Sequence, residues 1–491
     1  MALRERATKG LAWSLIERWG TELAGLGIFM VLSRMLGPEE FGLVALATVV
    51  IDFAQRFVDQ GFSEAVVQRG ELDQEHLDTA FWTGIATGGL LALLLVACAE
   101  PLAAALGEPK VAPVLRWLSL GFVIRGLSST QQALLVRSLR FKQLAVRTLV
   151  AQLAAGVVAI TLVFTGWGVW SLVGQSLAAG VFGVITLWSV ARWRPGLGFR
   201  WDHFRQLSLF GVNIVGFKLL NLLTGRVDAL MIGSFLGTTA LGYYSVAGRT
   251  FGAITKALTG MMNAVAFPVF SRLQDDPERM RRAFYEATQL TSLVTFPAFL
   301  GLAAIAPDAI PWAFGEQWGP SVPVMRVLAA VGILQTLTQF NGSVLKAVGK
   351  PSWRLGIATL QATCSAIAVL MVVRHGIAAV ATASAAVALA LYPLGFYAVQ
   401  RVIGIEVLPY ARQFAGPVFA ALLCAAAALG ARWLGDSLVL SVRIPLACAA
   451  GAAAYALALR LVAPALFQRA LSTLWSAVPG RSAKAAAPPP A

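Results

Sequence analysis

Apolar stretches of about 20 residues, long enough to cross a lipid bilayer as a helix, recur along almost the whole chain. Their limits read as 11–35, 41–64, 80–106, 113–135, 146–165, 168–191, 206–233, 240–268, 284–306, 322–345, 354–373, 377–400, 412–433 and 441–463. Inside lipid every backbone N–H and C=O must be satisfied within the protein, which leaves the helix as the solution for segments of this length. Only 13% of the 491 residues are charged, against about 25% in soluble domains. The expected fold class is therefore an all-α polytopic membrane protein of about 14 transmembrane helices.

The connections alternate in charge. One set is rich in Lys and Arg: Arg4, Arg6 and Lys9; Arg69; Arg137, Arg140, Lys142 and Arg147; Arg192, Arg194, Arg200 and Arg205; Arg272, Arg279, Arg281 and Arg282; Lys346, Lys350 and Arg354; Arg401 and Arg412. The other set is poor in them: LGPEE, GEPK, TGWG, LGTTALG, PDAIPWAFGEQWGP and RHG. Basic loops stay on the cytoplasmic side, so both termini are expected there. This placement also accounts for the net charge of +15 without nucleic acid, whose binding would need a basic stripe on a soluble face. The start, MALRERATKG, leads into a segment too long and too charged for a signal peptide. The tail beyond Arg481 is of low complexity and is expected to be disordered. Cys98, Cys364, Cys424 and Cys448 lie in apolar runs and read as small buried hydrophobes; no metal site is expected. Pro307 to Pro323 has room for a short interfacial helix around Trp312 and Trp318.

An internal repeat organises the chain. LGPEEFG at Leu36–Gly42 aligns with LGTTALG at Leu236–Gly242, an offset of 200, and GVWSLV from Gly168 resembles GIAAVA from Gly376, an offset of 208. Spans 1–6 thus repeat as spans 7–12. Six is even, so both copies have the same orientation, the parallel-repeat arrangement in which a substrate is held between halves. The expected domains are a first six-helix lobe at 1–200, a second at 201–405, two additional helices at 406–465 and the tail at 466–491.

Charges inside the spans follow the same offset: Arg18 maps onto Lys218 and Arg56 onto Lys256. Each lies on a polar stripe of residues three, four or seven apart, which share one helix face. Span 1 carries Ser14, Arg18, Thr21, Glu22 and Gly25; span 2 carries Asp52, Arg56, Asp59, Gln60 and Ser63; span 7 carries Lys218, Asn221 and Gly225; span 8 carries Ser245, Arg249, Gly252, Lys256, Thr259 and Asn263. Charged residues within membranes usually face a hydrated interior, and four such stripes would line one central cavity. Arg18, Arg56, Lys218, Arg249 and Lys256 suit an anionic ligand, because Arg grips phosphate in a bidentate fork and Lys adds a point charge. Local neutralisation stands beside that reading: Arg18 has Glu22 at i+4, and Arg56 has Asp52 at i−4 and Asp59 at i+3. Arg226 and Asp228 read as a structural or gating pair. Glu17, Glu22, Asp52 and Asp59 are candidates for coupling to Na+ or H+; no other cofactor is expected.

The motifs SRMLGPEEFG, LVRSLRFKQLA, DALMIGSFLGTTALGYYSVAGR and LKAVGKP, in this order, resemble those of Wzx-type lipid-linked oligosaccharide flippases. These belong to the multidrug/oligosaccharidyl-lipid/polysaccharide exporter superfamily; the likeness is strongest to exporters of colanic-acid-like and xanthan-like polymers and covers about residues 5–465. The resemblance implies a two-lobed bundle in the bacterial inner membrane. It further implies transfer of an undecaprenyl-diphosphate-linked repeat unit between leaflets for exopolysaccharide, capsule or O-antigen synthesis, and contact with a polymerase and its chain-length regulator. Cavity cations serve anionic headgroups in such flippases, a role that would fall to the helices of Arg18, Arg56, Lys218 and Arg249. Two other classes compete. A multidrug-type antiporter for cationic drugs would favour an acidic cavity, against the cation excess. A polysaccharide polymerase or ligase would present a large outward catalytic loop, which the sequence lacks.

Overall fold

The computed structural model describes residues 2–58, 73–191 and 193–468. Every extended element among them is a helix: α1 (Ala2–Met35), α2 (Pro38–Val58), α3 (Gln74–Ala105), α4 (Val111–Arg137), α5 (Phe141–Phe164), α6 (Val169–Val190), α7 (Trp201–Arg272), α8 (Pro277–Phe314), α9 (Ser321–Thr338), α10 (Asn341–Ala347), α11 (Pro351–Val372), α12 (Ile377–Ile403), α13 (Val407–Leu434) and α14 (Leu440–Val462). Among the described residues, 11 helices are long and apolar enough to cross a membrane.

The expected spans 7 and 8 form the single run α7, interrupted at Gly237, where φ is +85° and ψ 173°. The expected loop LGTTALG shrinks to that one residue. A side chain there would clash with its own backbone, and nothing after it, from Thr238 onward, prevents helix from resuming at once. In the first copy, the matching break at Leu36–Gly37 is followed by Pro38, which occupies the first position of α2, where its missing N–H costs nothing. Two other breaks match between the halves. Gly168 (φ +51°) precedes α6 and Gly376 (φ +101°) precedes α12, while Leu139 (φ +54°) and Gly349 (φ +73°) turn the chain after α4 and α10.

Two compact units emerge. The first comprises Met1–Ala253, Ala313–Ser321 and Ala358–Ser384. Its core holds Leu46, Leu115, Phe122, Ile232 and Leu241 together with Val369, Val373 and Val380. Within it α3 and α4 pack with little between their backbones. Gly84 and Gly88, four residues apart, form a small-xxx-small face of the kind that lets membrane helices approach closely. A Cβ added at Gly88 would lie 2.6 Å from the Phe122 carbonyl oxygen, and one at Gly126 2.8 Å from that of Gly84.

The second unit comprises Ile254–Trp312, Val322–Ile357 and Ala385–Ala491. It is organised around aromatics: Tyr410 meets Phe414 edge-on at 4.8 Å and stacks on Phe284 at 5.8 Å. The buried Tyr410 hydroxyl donates to the Leu337 carbonyl at 2.9 Å. Asp308 of α8, 5% exposed, receives Arg432 of α13 at 2.7 Å and Arg443 of α14. Arg443 also reaches the exposed Asp436 at 2.7 Å. This double ion pair fastens the two additional helices to α8.

Candidate functional site

Of the sequence-predicted site residues, Asp59 lies outside the described residues. So do the side chains of Arg18, Arg56, Lys218, Asn221 and Asn263, whose helices are described. Glu22, Asp52, Arg249 and Lys256 can be placed.

Arg249 stands over the ring of Phe29 on α1, its guanidinium carbon 4.3 Å from the ring centroid. Phe29 is 1% exposed. Its ring is fixed edge-on by Phe41 at 5.5 Å and tilted against Phe314 at 5.2 Å. Glu22 lies two turns before Phe29 on the same face of α1 and attracts Arg249 electrostatically. A cation over an aromatic face gains about 0.5–2 kcal/mol, more as water is excluded. Arg249 is crowded by protein on most sides, yet its own surface remains accessible. The accessible surface decides whether a ligand can reach it. The arrangement presents an accessible guanidinium stacked on an aromatic ring. Lys256, two turns on along α7, is likewise exposed.

Asp52 of α2 has a partner on another helix. It accepts from Arg226 of α7 at 2.6 Å, with the two side chains 24% and 44% exposed. Arg226 and Asp228 therefore do not pair with each other, contrary to the sequence reading. Residues two apart point to different sides of a helix. Asp228 turns elsewhere and accepts from the Tyr244 hydroxyl at 2.9 Å and from Ser384 of α12 at 3.1 Å. Tyr244 and Ser384 were missed because the periodicity of one helix says nothing about partners beyond a break or on another span. The only available hint was that Asp228 has no basic residue three or four positions away.

Trp318 departs from the interfacial position expected for it. It is fully buried in a short 3-10 turn, Glu316–Trp318, while Trp312 is 46% exposed. The Trp318 indole N–H donates to the Ser33 carbonyl at 2.8 Å, and its ring meets Phe41 at 5.4 Å and Tyr243 at 6.0 Å. Gln317 donates to the carbonyls of Ser33 and Leu36. Ser321 donates to the Tyr243 carbonyl at 2.8 Å. Lys110, between α3 and α4, pairs with Glu39 at 2.6 Å, which raises its ammonium above the usual value. The Lys/Arg-poor connections of the first unit are thus tied to one another, with Trp318 as the plug among them.

Comparison with known proteins places this geometry. The profile of the family described as "Polysaccharide biosynthesis protein" matches residues 31–323. The succinoglycan biosynthesis transport protein ExoT of Rhizobium meliloti is 32% identical over 70% of this chain and 69% of its own length. The lipopolysaccharide biosynthesis protein WzxC of Escherichia coli is 29% identical over 71% of each. Among solved structures, the lipid II flippase MurJ superposes with a TM-score of 0.74 over 93% of this chain and 99% of its own at 14% identity. A multidrug resistance transporter of the MATE family gives 0.63 over 79% and 96%, at 15% identity.

Proposed function

This chain belongs to the polysaccharide biosynthesis protein family, and from that premise we propose that it flips an undecaprenyl-diphosphate-linked oligosaccharide repeat unit across the bacterial inner membrane by alternating access. The product serves exopolysaccharide, capsule or O-antigen synthesis. Arg249 carries the reading: a guanidinium backed by Phe29 and accessible on a helix of a membrane protein suits a diphosphate. Arg18, Arg56, Lys218 and Lys256 belong to the same stripes and supply the remaining positive charge. Glu22 balances Arg249 when no headgroup is present and is the acid best placed to exchange a proton or sodium ion as the headgroup enters.

The fourteen spans form two six-helix lobes, 1–200 and 201–405, followed by two additional helices. The paired turns at Gly168 and Gly376 and at Leu139 and Gly349 support this repeat. The alternating loop charge supports cytoplasmic termini. A polymerase and its chain-length regulator are the expected partners on the product side.

A multidrug-type antiporter shares the fold, so the fold does not choose between the two; the cation excess of the sequence favours the flippase. The discriminating experiment is a deletion strain in which a membrane-impermeant probe reports the leaflet holding accumulated diphosphate-linked oligosaccharide. Intermediates trapped on the cytoplasmic leaflet are the expected result. Accumulation on the periplasmic leaflet would replace this proposal with the polymerase or ligase reading. In the complemented strain Arg56→Ala and Lys218→Ala should each lower export sharply at unchanged membrane abundance. Normal export by both would remove the cavity-cation account.

A further inference from the structure

The repeated motif noted in the sequence meets itself in the structure. A Cβ added to Gly42 would overlap the carbonyl oxygen of Thr238 and come within 3.0 Å of the Gly242 nitrogen. A Cβ added to Gly242 would overlap the carbonyl oxygen of Pro38 and lie 3.0 Å from its Cα. The obstacles are backbone atoms in both cases, so no side-chain rotation relieves them. Gly42 and Gly242 are related by the repeat offset of 200, and so are their partners Pro38 and Thr238. The contact is therefore self-complementary about a pseudo-two-fold axis, the intramolecular counterpart of an isologous interface. It joins the start of α2 to the same position in the second copy of the motif, on α7. Around it lie the other ties of the Lys/Arg-poor connections: Glu39 with Lys110, Thr238 with Glu108 at 3.4 Å, and Trp318 against Phe41. The glycines of the α3–α4 hairpin differ in kind, because they join helices adjacent in sequence within one copy of the repeat.

We propose that Gly42 and Gly242 form a symmetric gate on the Lys/Arg-poor side, closed by direct backbone contact, so that a side chain at either position holds that side open. The proposal rests on the alternating-access reading above. Closure needs both glycines, since the contact is shared. One Cβ is enough to prevent it, and a second adds little.

The test uses the full-length chain without native cysteines and with Ser245→Cys, one turn beyond the gate on α7, as a reporter. An impermeant maleimide is applied to intact spheroplasts and, in parallel, to inside-out vesicles. Gly42→Ala, Gly242→Ala and the double variant should each raise labelling from the Lys/Arg-poor side by about tenfold, with the double variant close to either single one. Gly126→Ala, a packing glycine, should lower heat stability and leave labelling unchanged. Unchanged labelling in both gate variants at normal abundance, or an equal rise in Gly126→Ala, would overturn the proposal. Should the alanine variants fail to reach the membrane, Pro38→Cys with Thr238→Cys, both glycines intact, can be bridged by a short reducible bis-thiol reagent. Bridging should stop export and reductant should restore it; normal export from the bridged protein would overturn the gate. Raised labelling with unaffected export would leave the gate standing and sink the alternating-access reading instead.

Discussion

Asp308→Asn tests how the two additional helices are held. Asp308 accepts from two arginines while itself 5% exposed, and Arg443 is 13% exposed, with an Nε atom that is buried and finds no partner among the described residues. Removing the acid leaves Arg443 inside with only Asp436, which is 86% exposed. Breaking a buried pair in this way costs about 3–5 kcal/mol. Arg432 keeps 29% of its surface and can turn toward water, so the lower end, about 3 kcal/mol, is expected. That is roughly a hundredfold change in the ratio of folded to unfolded protein. Reversible unfolding by SDS in mixed micelles reads it, with near-ultraviolet circular dichroism following the aromatics around Tyr410. Asp436→Asn, at an exposed pair, should cost under about 1 kcal/mol. Replacing Asp308, Arg432 and Arg443 together with Leu, Met and Met should recover most of the loss, because hydrophobic residues of similar volume often match a buried ion pair. Equal unfolding of Asp308→Asn and Asp436→Asn, or a triple variant worse than the single one, would refute the reasoning.

Three other outcomes are expected. Trp318→Ala removes a fully buried indole and should destabilise the protein by about 3–5 kcal/mol, whereas Trp318→Phe loses chiefly one hydrogen bond, about 1 kcal/mol; the ordering is checked by heat denaturation in detergent. Asp52→Arg should lower thermal stability by up to about 1 kcal/mol, given the exposure of its partner, and Arg226→Asp in the same chain should restore it. Asn263→Asp, on the polar stripe of α7, should impair export more than Ala264→Asp beside it; surface polysaccharide at matched abundance is the measurement.

Most helix positions could be read from the sequence because each span must satisfy its own backbone in lipid, which leaves a continuous apolar record. The expected limits 441–463 and the observed Leu440–Val462 differ by one residue at each end. Helix α8 extends beyond the expected 284–306, to Pro277–Phe314, since its polar first turns and the two prolines near its end, Pro307 and Pro311, look like loop. The spacing that puts Arg249 and Lys256 on one side of α7 was visible, because residues seven apart share a face. What held Arg249 in place was not: Phe29 lies 220 positions away and looks like any other apolar residue of its span. Asp52 shows the same limit. Its partner Arg226 lies on another span, 174 positions away.

The composition of the first unit sets a schedule for its assembly. Val369, Val373 and Val380 belong to the core built by the first 253 residues, and Trp318 fills the space beside Phe41. At about 5–20 residues per second, the ribosome needs on the order of 10 s to travel from Ala253 to Ser384. Until residue 318 has been made, the space beside Phe41 that Trp318 fills has no occupant from this chain. Chains interrupted between those points would carry an incomplete core, a natural target for membrane quality-control proteases.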